Sequence, residues 1–138
     1  MNTEILDLEP KIVWEYFKEV LEIPRPSKKE EKIIAYLLKF GKDQNLETLQ
    51  DEIGNILIRK QATPGMENKK WVVMQSHIDM VCEKNSDKVF DFDNDPIESL
   101  IEGDWVTAND TTLGADDGIG IAAQLAILAS KDIEHGPI

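Results

Sequence analysis

Trp71-Val72-Val73-Met74-Gln75-Ser76-His77-Ile78-Asp79 begins as an apolar run and ends in a His-x-Asp pair. The run starts without polar alternation, the pattern of a central strand buried on both faces. Residues i and i+2 of a strand point to the same side, so His77 and Asp79 can face one site where the strand runs out. In α/β sheets, sites gather beyond the carboxyl ends of strands. A His metal ligand needs its second ring nitrogen held by an acceptor, and a carboxylate two residues on can serve. The pair also arises by chance, with the His simply packed or solvated.

Working outward, the rest alternates helices with strands. Leu8 to Leu21 carries Ile12, Val13, Tyr16, Phe17, Val20 and Leu21 at the spacing of one helical face. Pro24 and Pro26 end that helix. Ser27-x-x-Glu30 is a capping-box pattern and predicts a second helix through about Asp43, with Ile33, Ile34, Leu37, Leu38 and Phe40 facing inward. Leu46–Gln50 and Ile53–Arg59 read as short strands around a turn at Asp51 to Asn55. Ala62 to Lys69, with Pro64 and Gly65, is a loop. Val81 to Trp105 is acidic and mostly loop, with a strand near Trp105. Asp117–Ser130 is a helix apolar almost all round, which requires burial. This pattern predicts one α/β layered domain, without repeat or linker.

The second chemical constellation is Thr112-Leu113-Gly114-Ala115-Asp116-Asp117-Gly118-Ile119-Gly120. Adjacent carboxylates open an apolar helix. Its free N–H groups and partial positive charge explain one Asp as a cap. They do not explain Gly118 and Gly120, each of which costs a helix roughly 1 kcal/mol relative to Ala. Local rules broken in this way mark functional sites or close backbone packing. A carboxylate there can also bridge two metal ions about 3.5–4 Å apart, as two-metal hydrolysis requires.

Composition sets the outer limits. The 138 residues are 41% hydrophobic and 30% charged, enough apolar material for a core and too much for a disordered segment. No stretch approaches the roughly 20 apolar residues of a membrane span. Met1 to Pro10 lacks a basic region followed by an apolar block, so no signal peptide is expected there. Cys82 is the single cysteine, which excludes an internal disulfide and fits a reducing, cytoplasmic compartment. A net charge of −12 argues against nucleic acid and anionic membranes as partners.

Together the two constellations and their surroundings resemble a known family. The matching stretches are Ile23-Pro24-Arg25-Pro26-Ser27, Gly54 to Lys60, Pro64 to Asn68, Gln75 to Val81, Thr111 to Asp116 and His135-Gly136-Pro137. They resemble the Xaa-His (aminoacyl-histidine) dipeptidases, within the di-zinc peptidase family of carboxypeptidase G and the acylase-type amidohydrolases. The resemblance implies a partial zinc-peptidase-like catalytic domain, a mixed sheet flanked by helices, with residues 1–138 its amino-terminal part. It implies His77 as a zinc ligand, Asp116 as the carboxylate bridging two zinc ions, and Asp79 as the catalytic acidic residue that orients the site. Asp117 receives no ligand role. Cobalt or manganese are alternative metals. The implied substrate is a dipeptide of the β-alanyl-histidine kind. The general base, the remaining ligands, a lid domain and a neighbouring strand belong to a carboxyl-terminal half not contained in these residues, and a homodimer is compatible with the family.

Two readings follow. In one, the chain contributes to a dipeptidase but is inactive and association-prone alone. In the other, it is a structural or interaction module with little or no metal. Three further features are set aside. Asp91, Asp93, Asp95 and Glu102 fit the acidic positions of a calcium loop, but Pro96 stands where that loop needs Gly. Cys82 reads as a packed small apolar residue, and His135 as structural. Trp14 and Trp71 are expected in the core and Trp105 partly exposed.

Overall fold

Amphipathic spacing in the first third of the chain produces two helices, as expected. The structure, a computed structural model, describes residues 4–138; Met1 to Thr3, the start of the stretch assessed for a signal peptide, lie outside the described residues. A short 3-10 turn, Glu4–Asp7, precedes α1, Lys11–Leu21. Phe17, Val20 and Leu21 form the buried stripe of α1. Helix α2 spans Glu31–Asp43 and buries Ile33, Leu37 and Phe40, with Ile34 and Leu38 half-buried.

The capping box is not formed. Glu30 takes the N-cap position without a side-chain cap bond, and its carboxylate accepts the Lys28 N–H at 2.8 Å instead. The Ser27 hydroxyl donates to Asp79 Oδ2. Because α2 begins at Glu31 rather than directly after Ser27, Ser27 lies outside the helix and is not its cap.

Two antiparallel hairpins follow. In the first, β1 (Glu47–Gln50) pairs with β2 (Ile56–Arg59), with Glu47 opposite Arg59 and Gln50 opposite Ile56. Asp51 closes its turn by accepting the N–H groups of Ile53 and Asn55. The second pairs β3 (Ser99–Glu102) with β4 (Trp105–Ala108) around Gly103, whose φ of 62° suits a tight turn. Strand β4 answers the strand expected near Trp105. Strand β3 lies in a stretch read as loop, because its acidic surroundings hide a four-residue run. Helix α3 is Ala115–Ala129, but Asp116 and Asp117 have non-helical backbone angles, so regular helix begins at Gly118.

Packing divides the core in two. One cluster joins α1, α2 and α3 through Val20, Ile33, Leu37, Phe40, Ile121, Leu125 and Leu128. The other joins the 3-10 turn, α1 and α3 through Ile5, Phe17, Leu21 and Ala122, with Ile97, just before the second hairpin, and Ile101 and Val106 of that hairpin against it. Trp14 packs there, edge-on to Phe17 at 5.9 Å.

The expected central strand is the main departure. No strand forms over Trp71–Ile78, and Trp71, Val72 and Val73 are exposed, Val73 at 84%. Trp71 is therefore not a core residue here. The reason is a missing ladder. Val72 donates to the Pro137 carbonyl at 3.1 Å, while Lys60 and Ile138 exchange both backbone bonds at 2.8 and 2.9 Å. Such reciprocal bonding marks an antiparallel pair. Residues 135–138 thus occupy the first rung between β2 and the Trp71–Ile78 segment. Beyond that rung lies an open slot of about 1060 Å³, with β2 and Trp71–Asp79 as its walls and Ile34, Leu37, Ile121, Leu125 and Leu128 among its lining residues. Lys60 holds the far end of α3 beside this slot by donating to the carbonyls of Ile127 and Ser130 at 3.0 and 2.6 Å, satisfying helix-end acceptors that would otherwise lack partners.

Candidate metal centre

Three side chains meet where the Trp71–Asp79 segment approaches the start of α3. The His77 ring lies between two carboxylates. Its Nδ1 is 3.0 Å from Asp79 Oδ1, and its Nε2 is 2.8 Å from Asp116 Oδ1, a residue 39 positions away in sequence. Asp79 is held in turn by the Ser27 hydroxyl on its other oxygen. The result is a chain, Ser27–Asp79–His77–Asp116, with the Asp116 end fully open to solvent.

The electrostatics follow from these contacts. The hydrogen bond to Asp116, with help from Asp79, raises the His77 pKa above its ordinary value despite some desolvation. The Ser27 hydroxyl, then the His77 ring, hold the Asp79 carboxyl below the usual carboxylate range. An imidazole flanked by two carboxylates binds a proton well, and a carboxylate at Nδ1 is also what would leave Nε2 free to bind a cation.

The donor set tests whether a metal fits. Ligands of one tetrahedral zinc at its usual bond lengths sit about 3.4 Å apart. His77 Nε2 and Asp116 Oδ1, at 2.8 Å, need to part only slightly to share an ion. Both belong to the nitrogen and oxygen donor types that zinc accepts. Among the described residues, however, no group of three or more His, Cys, Asp or Glu converges to hold a metal. The chain brings together two donors of the types zinc accepts, fewer than the roughly three protein ligands of a catalytic zinc.

Other candidates fall outside this cluster. The Asp117 carboxylate lies over the first turn of α3, where a Cβ on Gly120 would stand 2.2 Å from its Oδ1. Gly120 therefore makes room for Asp117. Both main-chain groups of His135 bond to Thr63, at the edge where residues 135–138 dock. Cys82 is half-buried, and desolvation pushes its thiol pKa up, as suits a packed residue.

Sequence reasoning missed the support beneath the site. Arg25 is 1% exposed. Its Nη1 donates to the carbonyls of Ile78 and Asp79 at 3.2 and 3.0 Å, and its Nη2 to the carbonyl of Gly114 at 2.5 Å. Its own carbonyl accepts the Met80 N–H at 3.0 Å, and Pro26 forms a parallel bridge with Met80. No local pattern marked this role, since its partners are main-chain carbonyls.

Comparison with known proteins now bears on this geometry. No family model matches the chain. The cytosol non-specific dipeptidase of Escherichia coli (strain K12) is 48% identical over 136 residues, covering 99% of this chain and 28% of that protein. The crystal structure of aminoacylhistidine dipeptidase from Vibrio alginolyticus superposes with a TM-score of 0.95 at 53% identity, over 97% of this chain and 27% of that one. The chain is homologous to these dipeptidases. It spans little more than a quarter of their length. A tripeptidase from Staphylococcus aureus, at 22% identity and a TM-score of 0.72, covers 93% of this chain and 34% of that one and shows the shared α/β fold alone. Among the described residues, no helix is long and apolar enough to cross a membrane.

Proposed function

We propose that this chain is the amino-terminal part of the catalytic domain of a cytosolic, metal-dependent dipeptidase acting on Xaa-His dipeptides such as β-alanyl-histidine. The observation that carries the reading is the meeting of His77 and Asp116 at 2.8 Å across 39 residues of sequence, with Asp79 behind the ring. In this reading His77 and Asp116 would hold zinc. Asp79 fixes the ring tautomer and strengthens Nε2 as a donor. Bound zinc would polarise the scissile carbonyl and acidify a water. The general base and the remaining ligands come from the rest of a longer polypeptide, whose next strand enters the slot beside β2.

A second reading, a structural module that holds little or no metal, draws on the absence of a three-donor cluster among the described residues. One experiment separates them. The full-length polypeptide is assayed for dipeptide hydrolysis and zinc content with His77→Ala and Asp116→Ala. Loss of turnover in both folded variants is expected. Near-parental turnover in either, at ordinary zinc concentration, rules the dipeptidase site out. Residues 1–138 alone are expected to show no turnover with added zinc, since loss of a general base costs roughly 10²–10⁴-fold.

A further inference from the structure

The geometry points to Arg25 as the positioning residue of the metal centre, fixing the separation of the two segments that present His77 and Asp116. This inference rests on the dipeptidase reading. Its evidence is independent, since it comes from main-chain contacts rather than from the donors themselves.

The carbonyls that Arg25 holds are not scattered. Ile78 and Asp79 directly follow His77, and Gly114 precedes Asp116 by two residues. One guanidinium thus grips both donor-bearing segments next to their donors. Among the described residues Arg25 has no carboxylate partner within ion-pair distance, although it is buried. Burial disfavours its charge, and Asp79 and Asp117 favour it only from beyond that distance, so a guanidinium is a costly choice for packing alone. What a guanidinium offers instead is a planar, rigid fork whose donors have fixed relative directions. That property suits setting a distance between two loops.

Two glycines support the same conclusion. A Cβ on Gly114 or on Gly118 would stand 2.7 Å from Arg25 Nη2. Gly114 also adopts φ 72°, a conformation that disfavours other residues. Gly118, costly in the first turn of an otherwise apolar helix, is there because the guanidinium passes against its backbone. The unexplained glycine of the Asp116-Asp117-Gly118 motif and the buried arginine are two halves of one arrangement.

The test uses the full-length enzyme that carries this chain, loaded with cobalt as a visible probe. Arg25→Lys, Arg25→Met and Gly118→Ala are compared with the parent and with His77→Ala. The readouts are thermal stability, cobalt affinity by chelator competition, the cobalt absorption spectrum, and kcat and KM for a dipeptide. Arg25→Lys keeps the charge but not the fork. It is expected to lower cobalt affinity and kcat by about 10–100-fold, as is usual for supports of metal ligands. KM should stay within about twofold, because the defect lies in the reacting centre rather than in dipeptide binding. Gly118→Ala, which keeps the arginine but displaces it, should alter the spectrum and lower kcat in the same direction. It decides the matter if the Arg25 variants do not fold. A lower melting temperature with unchanged cobalt affinity, spectrum and kcat in Arg25→Lys and Gly118→Ala makes Arg25 a purely structural residue and overturns the inference. If His77→Ala itself leaves cobalt binding and turnover intact, the dipeptidase reading fails first. If His77→Ala is inactive while the Arg25 and Gly118 variants behave as the parent, only the positioning role fails.

Discussion

The face where α1 meets α3 and the slot between β2 and Trp71–Ile78 are built from the same kinds of residues, yet only one of them is closed. On the helical face Ile5, Phe17 and Ala122 are fully buried. Across the slot, Val73 is 84% exposed and Trp71 57% exposed. A helix satisfies its own backbone, so it needs only an apolar neighbour to bury its stripe. A strand needs a partner for its amides before its side chains can be covered. The helical face is complete within these residues, while the strand region has one rung of a ladder. The proposed metal site sits on the seam, with His77 carried by the open region and Asp116 by the closed one.

The comparison is broken most severely by cutting into the closed side. Phe17→Ala should destabilise the chain by about 3–5 kcal/mol, the usual cost of a cavity at a buried aromatic. Val73→Ala should change stability by no more than about 0.5 kcal/mol, as for other surface positions. Urea unfolding of both variants measures the contrast, and equal losses would mean that the slot is already closed in solution.

The seam comes next. Asp79→Asn in the full-length protein keeps the shape but removes the charge behind His77. It should reduce turnover and zinc retention by about 10–100-fold. An unchanged rate and zinc content would make Asp79 a bystander.

The open side should show itself in association. Residues 1–138 alone should self-associate through the slot, since exposed apolar surface and unpaired strand edges pair readily. Val73→Lys should shift the mass measured by sedimentation toward the monomer. A parent chain that is monomeric at high concentration would show that the exposed rim is too small to drive association.

The smallest effect is electrostatic. In the metal-free chain the His77 imidazole should titrate above its ordinary value near 6.5, because Asp116 and Asp79 favour the protonated ring. Asp116→Asn should bring it back down. The folded state holds this proton more tightly than the unfolded chain. The contribution to stability is therefore full below the unfolded pKa and fades as pH rises through the raised folded value. Histidine proton resonances followed across neutral pH check both the shift and its sign.

Much of this was written in local sequence. The helical stripes around Phe17 and Leu37, the Asp51 turn and the approach of His77 to Asp79 depend on spacing of a few residues, which periodicity and turn chemistry report directly. The His77–Asp116 contact was reached through resemblance to a known family, because no local rule joins residues so far apart. Other features are tertiary choices. Ser27 had a plausible local role as a helix cap, and only folding showed that Asp79 takes its hydroxyl. Arg25 carried no periodic signal, since its partners are carbonyls, which every residue possesses and no sequence pattern marks. Gly118 was visible as an anomaly, but its cause, a guanidinium arriving from the segment after α1, was not. The Trp71–Ile78 run shows the opposite limit. Its apolarity states that it is built for burial, but whether burial occurs depends on a partner strand, and pairing is a property of neighbours rather than of the strand itself.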